Sequence, residues 1–136
     1  MRKLLVPAIL ALAGLVQAQC GTLAVNGPGT PGTTLDIALT GATPNGFAIL
    51  FAGPTTGATP IHLGLSTLTI GLEAPFLAAP MGPTDANGDA SLSVPIPQVT
   101  IPQQITLHAQ AATISFSMRP FSISGCTSNV ATFTIG

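Results

Sequence analysis

Only a few side chains in this 136-residue chain could carry acid–base or nucleophilic chemistry. They are two histidines and four carboxylates, at His62, His108, Asp36, Glu73, Asp85 and Asp89. Catalysis needs an activated nucleophile, or a base held close to an acid. No short spacing joins the histidines to each other or to a carboxylate, and Gly64-Leu65-Ser66 stops short of a Gly-x-Ser-x-Gly elbow. We therefore expect no enzymatic activity, no catalytic residue and no cofactor.

Oxygen-bearing side chains alternate at Asp85, Asn87 and Asp89, as they do in some calcium loops. In an EF-hand, a glycine follows the fifth-position ligand and a bidentate glutamate closes the loop at the twelfth position. Ala90 and Ile96 occupy those positions here. Zinc spacings such as Cys-x-x-Cys or His-x-His are also lacking, so no metal site is predicted. An Asx-stabilised turn is the favoured interpretation, with calcium binding as the alternative.

The two cysteines, Cys20 and Cys126, lie near opposite ends of the chain. In an oxidising compartment such a pair predicts a disulfide that would hold the first strand near the last. Closing a loop of about 100 residues corresponds to about 4–5 kcal/mol of chain entropy. Cys20 also follows an apolar segment, as a lipidated cysteine would, but Gln19 before it does not suit lipoprotein processing.

The first eighteen residues have the pattern of a secretory signal peptide. Arg2 and Lys3 precede an apolar run over residues 4–16, and small residues flank Gln17 at the expected cleavage site. The run is shorter than the roughly 20 residues of a membrane-spanning helix. We predict a signal peptide over residues 1–18 and one domain over residues 19–136. The product would be exported, with an extracellular, cell-surface or periplasmic location.

Charge is scarce after this segment. Four carboxylates stand against Arg119, which leaves a net side-chain charge of −3. Nucleic acid is excluded as a partner, because phosphate binding depends on clustered lysine and arginine. A second apolar stretch of spanning length is absent from the sequence, so we expect no membrane span after signal cleavage. A cell-surface or extracellular protein and a glycan remain open as partners.

Beyond residue 19 the apolar pattern has a period of two, interrupted about every ten residues by Gly, Pro and Asn. Residues 34–40 alternate as in a half-buried strand, whereas residues 46–52 lack polar alternation and predict a strand covered on both faces. Residues 73–83, rich in proline, predict a packed loop. Residues 104–111 alternate, and the phase shifts near Ala112, which predicts a bulge or a chain reversal.

These strands predict an all-β fold, a two-sheet antiparallel sandwich of seven or eight strands with immunoglobulin-like topology. The chain has no Trp or Tyr, and its six Phe residues fall mostly at predicted core positions, among them Phe47, Phe51 and Phe133. Sugar binding by aromatic stacking therefore has weak support.

A longer pattern resembles a known group of domains. An Asp-x-x-Gly turn in residues 84–92, a Pro-Ile-Pro exit in residues 94–97 and His-Ala-Gln-Ala at residues 108–111 are similar to β-sandwich domains of uncharacterised exported bacterial proteins. Gly32-Thr33-Thr34-Leu35 and Ser128-Asn129 also fit. The resemblance implies a bacterial source, export and an immunoglobulin-like sandwich, and it implies no catalytic residue.

Two functions follow as expectations. The first is a non-catalytic secreted or cell-surface module with a structural or adhesive role. The alternative is a ligand-binding module, for calcium or a glycan, that uses the loops near Asp85 and Asp89.

Overall fold

A computed structural model describes residues 20–63, 66–100, 102–118 and 121–136. The predicted signal peptide and Arg119 lie outside these residues. The described residues form ten strands and no helix, which confirms the all-β class, whereas the predicted count of seven or eight strands is wrong. The strands are β1 (Thr22–Asn26), β2 (Thr34–Thr40), β3 (Phe47–Gly53), β4 (Thr56–Leu63), β5 (Ser66–Leu72), β6 (Leu77–Pro83), β7 (Ala90–Pro95), β8 (Ile105–Met118), β9 (Phe121–Thr127) and β10 (Ala131–Ile135).

The strands pair antiparallel in three sheets rather than the two predicted. A three-stranded sheet has the order β1-β2-β7, and a five-stranded sheet has the order β10-β8-β3-β6, with β9 also paired to β8. The third sheet is the β4–β5 hairpin. The additional strands are β1, β9 and β6, the last of which replaces most of the predicted packed loop over residues 73–83, while β4 and β5 extend two short predicted strands.

The five-stranded sheet is the central layer, with apolar clusters on both of its faces. Ala48 and Leu50 of β3 pack toward the three-stranded sheet, in a cluster that includes Leu39. Phe51 points the other way and packs against Leu68 of the β4–β5 hairpin. Successive side chains of a strand point to opposite faces, so the absence of alternation in β3 follows from burial on both sides. The prediction for this strand is confirmed.

The phase shift near Ala112 does not arise from a bulge in β8. The register of β8 with β3 runs without interruption from Gly53↔His108 to Phe47↔Ile114. The irregularity lies in the neighbouring chain instead, because β9 ends at Thr127↔Ala112 and β10 begins at Ala131↔Ala109, with one extra residue on the β9–β10 side. The apolar side chain at Ala112 belongs to the opposite face of a strand that is buried on both faces at this point.

Proline in β6 is compatible with its position at the edge of the five-stranded sheet. Pro80 and Pro83 have no amide hydrogen to donate, and an edge strand leaves one side of its backbone unpaired. The register of β6 with β3 shifts between Ala48 and Ile49, beside Gly82, whose φ is 101°. The sequence pattern of this strand therefore resembles that of a loop although it pairs along its length.

The predicted disulfide is present and joins Cys20 to Cys126 across a sequence separation of 106 residues, with the Cα atoms 5.6 Å apart. It connects the start of β1 to β9, the last strand but one. The Cys20 amide donates to the Thr127 carbonyl, and the Thr43 hydroxyl lies 3.3 Å from the Cys126 sulfur. A thiol engaged in this bond is not available for lipidation, and the bond itself indicates a non-reducing environment.

Candidate functional site

The two histidines are not joined by hydrogen bonds in this fold. His62 is exposed on β4, where its Nδ1 lies 3.4 Å from the Thr67 hydroxyl on β5. His108 is half-buried on β8, and its Nδ1 lies 2.9 Å from the hydroxyl of Thr132, its partner in the register with β10. Each histidine thus contacts a cross-strand threonine. Within the described ranges, no three His, Cys, Asp or Glu side chains are close enough to hold a metal ion.

In the turn formed by residues 85–89, the carboxylates of Asp85 and Asp89 accept hydrogen bonds from backbone amides. Oδ1 of Asp85 accepts from the amides of Asn87 and Asp89, at 2.8 and 3.0 Å, which confirms the Asx-stabilised turn. These hydrogen bonds lower the pKa of the Asp85 carboxyl, and the bond from the Asp89 amide has the largest effect on that pKa. Asp89 Oδ1 accepts from the amide of Gly41, 3.0 Å away. The turn is therefore fastened to the loop that follows β2.

Gly88 is required at this contact. Its φ is 82°, its amide donates to the Asp85 carbonyl, and its own carbonyl accepts from the Ala42 amide. A Cβ at this position would collide with the Ala42 carbonyl oxygen. The Asp-x-x-Gly pattern in the sequence thus corresponds to a turn packed against backbone. Asp85 and Asp89, the carboxylates of the calcium alternative, both accept structural hydrogen bonds.

An apolar cavity lies between the two larger sheets. Its volume is about 360 Å³. Its walls come from β2 and β7 on one side and from β3, β6, β8 and β10 on the other, with the Pro95–Pro97 segment at its rim. Among the residues that the structure describes, every lining side chain is Leu, Ile, Val, Ala, Pro or Phe. We call this the inter-sheet cavity.

The sequence analysis did not predict the inter-sheet cavity. The residues that form its walls have the alternating pattern of an ordinary core, as in Leu35 and Ile37 of β2 or Leu92 and Val94 of β7. Alternation shows that a side chain points inward, but it does not show how closely the opposite sheet packs. The Pro-Ile-Pro exit after β7 does not mark the cavity either, because Ile96 still exchanges backbone hydrogen bonds with Gly32 and Thr33 ahead of β2.

A second apolar surface is exposed at the far end of β8 and β9. Phe116, Met118 and Phe121 are 63 %, 74 % and 65 % exposed. Met118 pairs with Phe121 and Phe116 pairs with Ile123, so these side chains share one face. We call Phe116, Met118 and Phe121 the hairpin tip.

The hairpin tip lies on the same face of β8 as Ala112, which the β4–β5 hairpin covers. The tip extends past that cover. The expectation that Phe residues are mostly in the core is right for Phe51 and wrong for Phe116 and Phe121, and Phe47 is also 38 % exposed at the start of β3.

Two polar side chains hold the break between β9 and β10, and the sequence analysis included both in the resemblance but gave neither of them a role. Gln110 is buried; its Oε1 accepts from the Gly71 amide and its Nε2 donates to the Ser128 carbonyl, each at 2.7 Å. The Ser128 hydroxyl accepts from the Ala111 amide at 3.0 Å. These bonds replace the ladder that the extra residue interrupts. Both roles are structural.

The described residues contain no helix that is long and apolar enough to cross a membrane. Comparison of the chain with family models, with curated proteins and with solved structures finds no match.

Proposed function

We propose that this protein is an exported, non-catalytic β-sandwich module with a structural or adhesive role, and that its sandwich is immunoglobulin-like. Export is supported by the basic start and apolar run of residues 1–18 and by the Cys20–Cys126 disulfide. The molecule would act outside the reducing cytoplasm.

The immunoglobulin-like assignment is supported by the order of the strands. Immunoglobulin domains place strands A, B and E in one sheet and strands C, F and G in the other, with C′ added beside C in variable-type domains. The order β1-β2-β7 corresponds to A-B-E, and β10-β8-β3-β6 corresponds to G-F-C-C′. On this scheme the β4–β5 hairpin is an insertion between C and C′, and β9 is an insertion between F and G.

The observation that carries the adhesive role is the exposure of the hairpin tip. Its three side chains expose on the order of 400 Å² of apolar surface, given about 200 Å² for each side chain. Stable pairwise interfaces bury about 800 Å² per partner. A patch of this size suits one contact among several, and its occupant would be an apolar surface of a cell-surface or extracellular protein.

The calcium or glycan alternative has less support. The Oδ1 atoms of Asp85 and Asp89 already accept hydrogen bonds from backbone amides. A cation at the turn would meet at most two carboxylates, because no three His, Cys, Asp or Glu side chains come together within the part of the chain that the structure describes.

Retention of the protein on the cells that produce it tests this function. We expect the native protein to fractionate with the cells and the double variant Phe116→Ser/Phe121→Ser to be released into the medium. Ile105→Ser is the matched control, because Ile105 is also an exposed apolar residue of β8 but lies at the opposite end of the strand. Equal retention of the native protein and the double variant would refute the proposal, and so would a native protein found free in the medium.

A further inference from the structure

We propose that the inter-sheet cavity binds a single aliphatic hydrocarbon chain, such as the acyl tail of a lipid. The cavity continues from the main core at the end of the sandwich away from the disulfide. Ile37, Leu50 and Ala109 belong both to the core cluster and to the cavity wall. Beyond them, partly buried side chains of both sheets, such as Ala52, Leu92 and Phe133, line a space of about 360 Å³ that is open to solvent on one side.

The chemistry of the walls selects the class of ligand. A peptide, a sugar or a nucleotide placed there would bury hydrogen-bonding groups, and the lining side chains include neither a donor nor an acceptor. Each such group would lose its bonds to water without replacement. A saturated chain loses no hydrogen bonds on entry and removes apolar surface from water on both sides.

The dimensions also fit one chain. An apolar cavity of about 150 Å³ is large enough to bind benzene. The inter-sheet cavity is more than twice as large, and at about 30 Å³ per small group it has room for on the order of ten carbon atoms.

The rim indicates how the ligand would enter. Leu77, at the start of β6, is 78 % exposed, and Val99, in the segment after β7, is 57 % exposed. Both residues line the cavity. None of the described lining residues is charged, so the polar end of the ligand would stay in water without an ion pair to them. Binding would depend on the hydrocarbon chain rather than on a particular head group.

Neighbouring residues of β6 provide a matched pair of variants. Ala79 is half-buried and lines the cavity, whereas Ala78 is exposed on the opposite face of the same strand. We expect native protein to bind 1-decanol and decanoate saturably, below their aggregation concentrations, with a rise in thermal midpoint. Ala79→Phe should weaken binding at least about tenfold by occupying the space, and Ala78→Phe should bind as the native protein does. Decanol and decanoate represent free chains, and phosphatidylcholine vesicles represent a membrane source of the same chain.

Methyl NMR of the native protein locates the ligand without a variant. With decanol, the shifts should change at Ile37, Leu50 and Leu92 and stay constant at Met118 of the hairpin tip. The Phe116→Ser/Phe121→Ser variant should bind decanol like the native protein, so the result is independent of the adhesive role. The proposal fails if no chain binds saturably, if folded Ala79→Phe binds as tightly as native protein, or if the cavity instead closes in a dimer that Ala79→Phe abolishes.

Discussion

Asn129 pairs through its side-chain amide with both backbone groups of Leu23. Its Oδ1 accepts from the Leu23 amide at 2.8 Å, and its Nδ2 donates to the Leu23 carbonyl at 3.2 Å. Leu23 belongs to β1, at the edge of the three-stranded sheet, whereas Asn129 lies in the break between β9 and β10. One side chain thus takes the place of a neighbouring strand and joins the two sheets at their edges.

Replacement of Asn129 should therefore destabilise the domain, because it also leaves the backbone amide and carbonyl of Leu23 without their partner. Asn129→Ala leaves the backbone groups of Leu23 without a protein partner, and we expect a loss of about 1–3 kcal/mol in the free energy of unfolding. Denaturant unfolding measures it. Asn129→Asp keeps the acceptor and loses the donor, so its stability should lie between that of the native protein and that of Asn129→Ala. An Asn129→Ala variant as stable as the native protein would contradict this role.

Gln110 should be equally sensitive to replacement. Gln110→Leu keeps a side chain of similar volume but leaves the Gly71 amide and the Ser128 carbonyl unpaired. We expect this to lower the free energy of unfolding by about 2–4 kcal/mol. The matched control is Gln104→Leu, because Gln104 is exposed and makes a single 3.4 Å bond to Gly136. Chemical denaturation of both variants gives the comparison, and equal losses would show that burial of Gln110 does not matter.

Reduction of the Cys20–Cys126 bond should lower stability by about 4 kcal/mol, because the bond closes a loop of about 100 residues in the unfolded chain. The Cys20→Ser/Cys126→Ser double variant should show the same loss without reductant. Thermal unfolding of native protein with and without reductant, beside that of the double variant, tests both statements. A thermal midpoint of the native protein that does not change on addition of reductant would contradict this expectation.

The turn at Asp85 should make stability depend on pH in the acid range. Backbone hydrogen bonds lower the pKa of this carboxyl in the folded state, so the unfolded chain binds the proton more tightly. The stabilisation is present above about pH 4, the ordinary range of an aspartate, and is lost as the pH falls through the lower pKa of the folded state. Asp85→Asn cannot titrate, so the advantage of native protein in thermal midpoint should shrink on acidification. A constant difference between the two proteins at all pH values would exclude this mechanism.

Calcium should not stabilise the domain. At about 5 mM, above the roughly millimolar affinity of weak extracellular sites, we expect the same thermal midpoint as in a chelating buffer. The physical reason is that calcium takes six to eight oxygen ligands, whereas no three His, Cys, Asp or Glu side chains come together among the described residues. A calcium-dependent rise that Asp85→Ala removes and Asp36→Ala retains would instead favour the ligand-binding alternative.

Local chemistry made several features predictable. The Asx turn needs only Asp85, Asn87 and Gly88 in order, and the disulfide needs two cysteines in an oxidising setting. The half-buried β2 and the doubly covered β3 follow from alternation and its absence. The side chains that decide these structures either lie close together in the sequence or, like the two cysteines, have a single possible partner.

Other features depend on distant segments and could not be predicted in this way. The slip at Ala112 was assigned to β8 because the pattern occurs there, yet the extra residue lies between Thr127 and Ala131. The β4–β5 hairpin forms a third sheet in which Leu68, Ile70 and Leu72 alternate over one face of β3 and β8. The hairpin tip also has the pattern of a core strand, but its side chains are exposed among the described residues.

The amino-acid sequence by itself determined the side-chain directions in strands such as β2 and β3 and the turn at Asp85, because these depend on backbone preference and on a period of two. Tertiary structure alone decided what each apolar face meets. Leu39 is closed against the opposite sheet, Leu92 faces the inter-sheet cavity and Phe116 faces solvent, although all three stand at alternating apolar positions. The physical reason is that alternation specifies the direction of a side chain, whereas burial depends on the distance to a layer formed by residues far away in the chain.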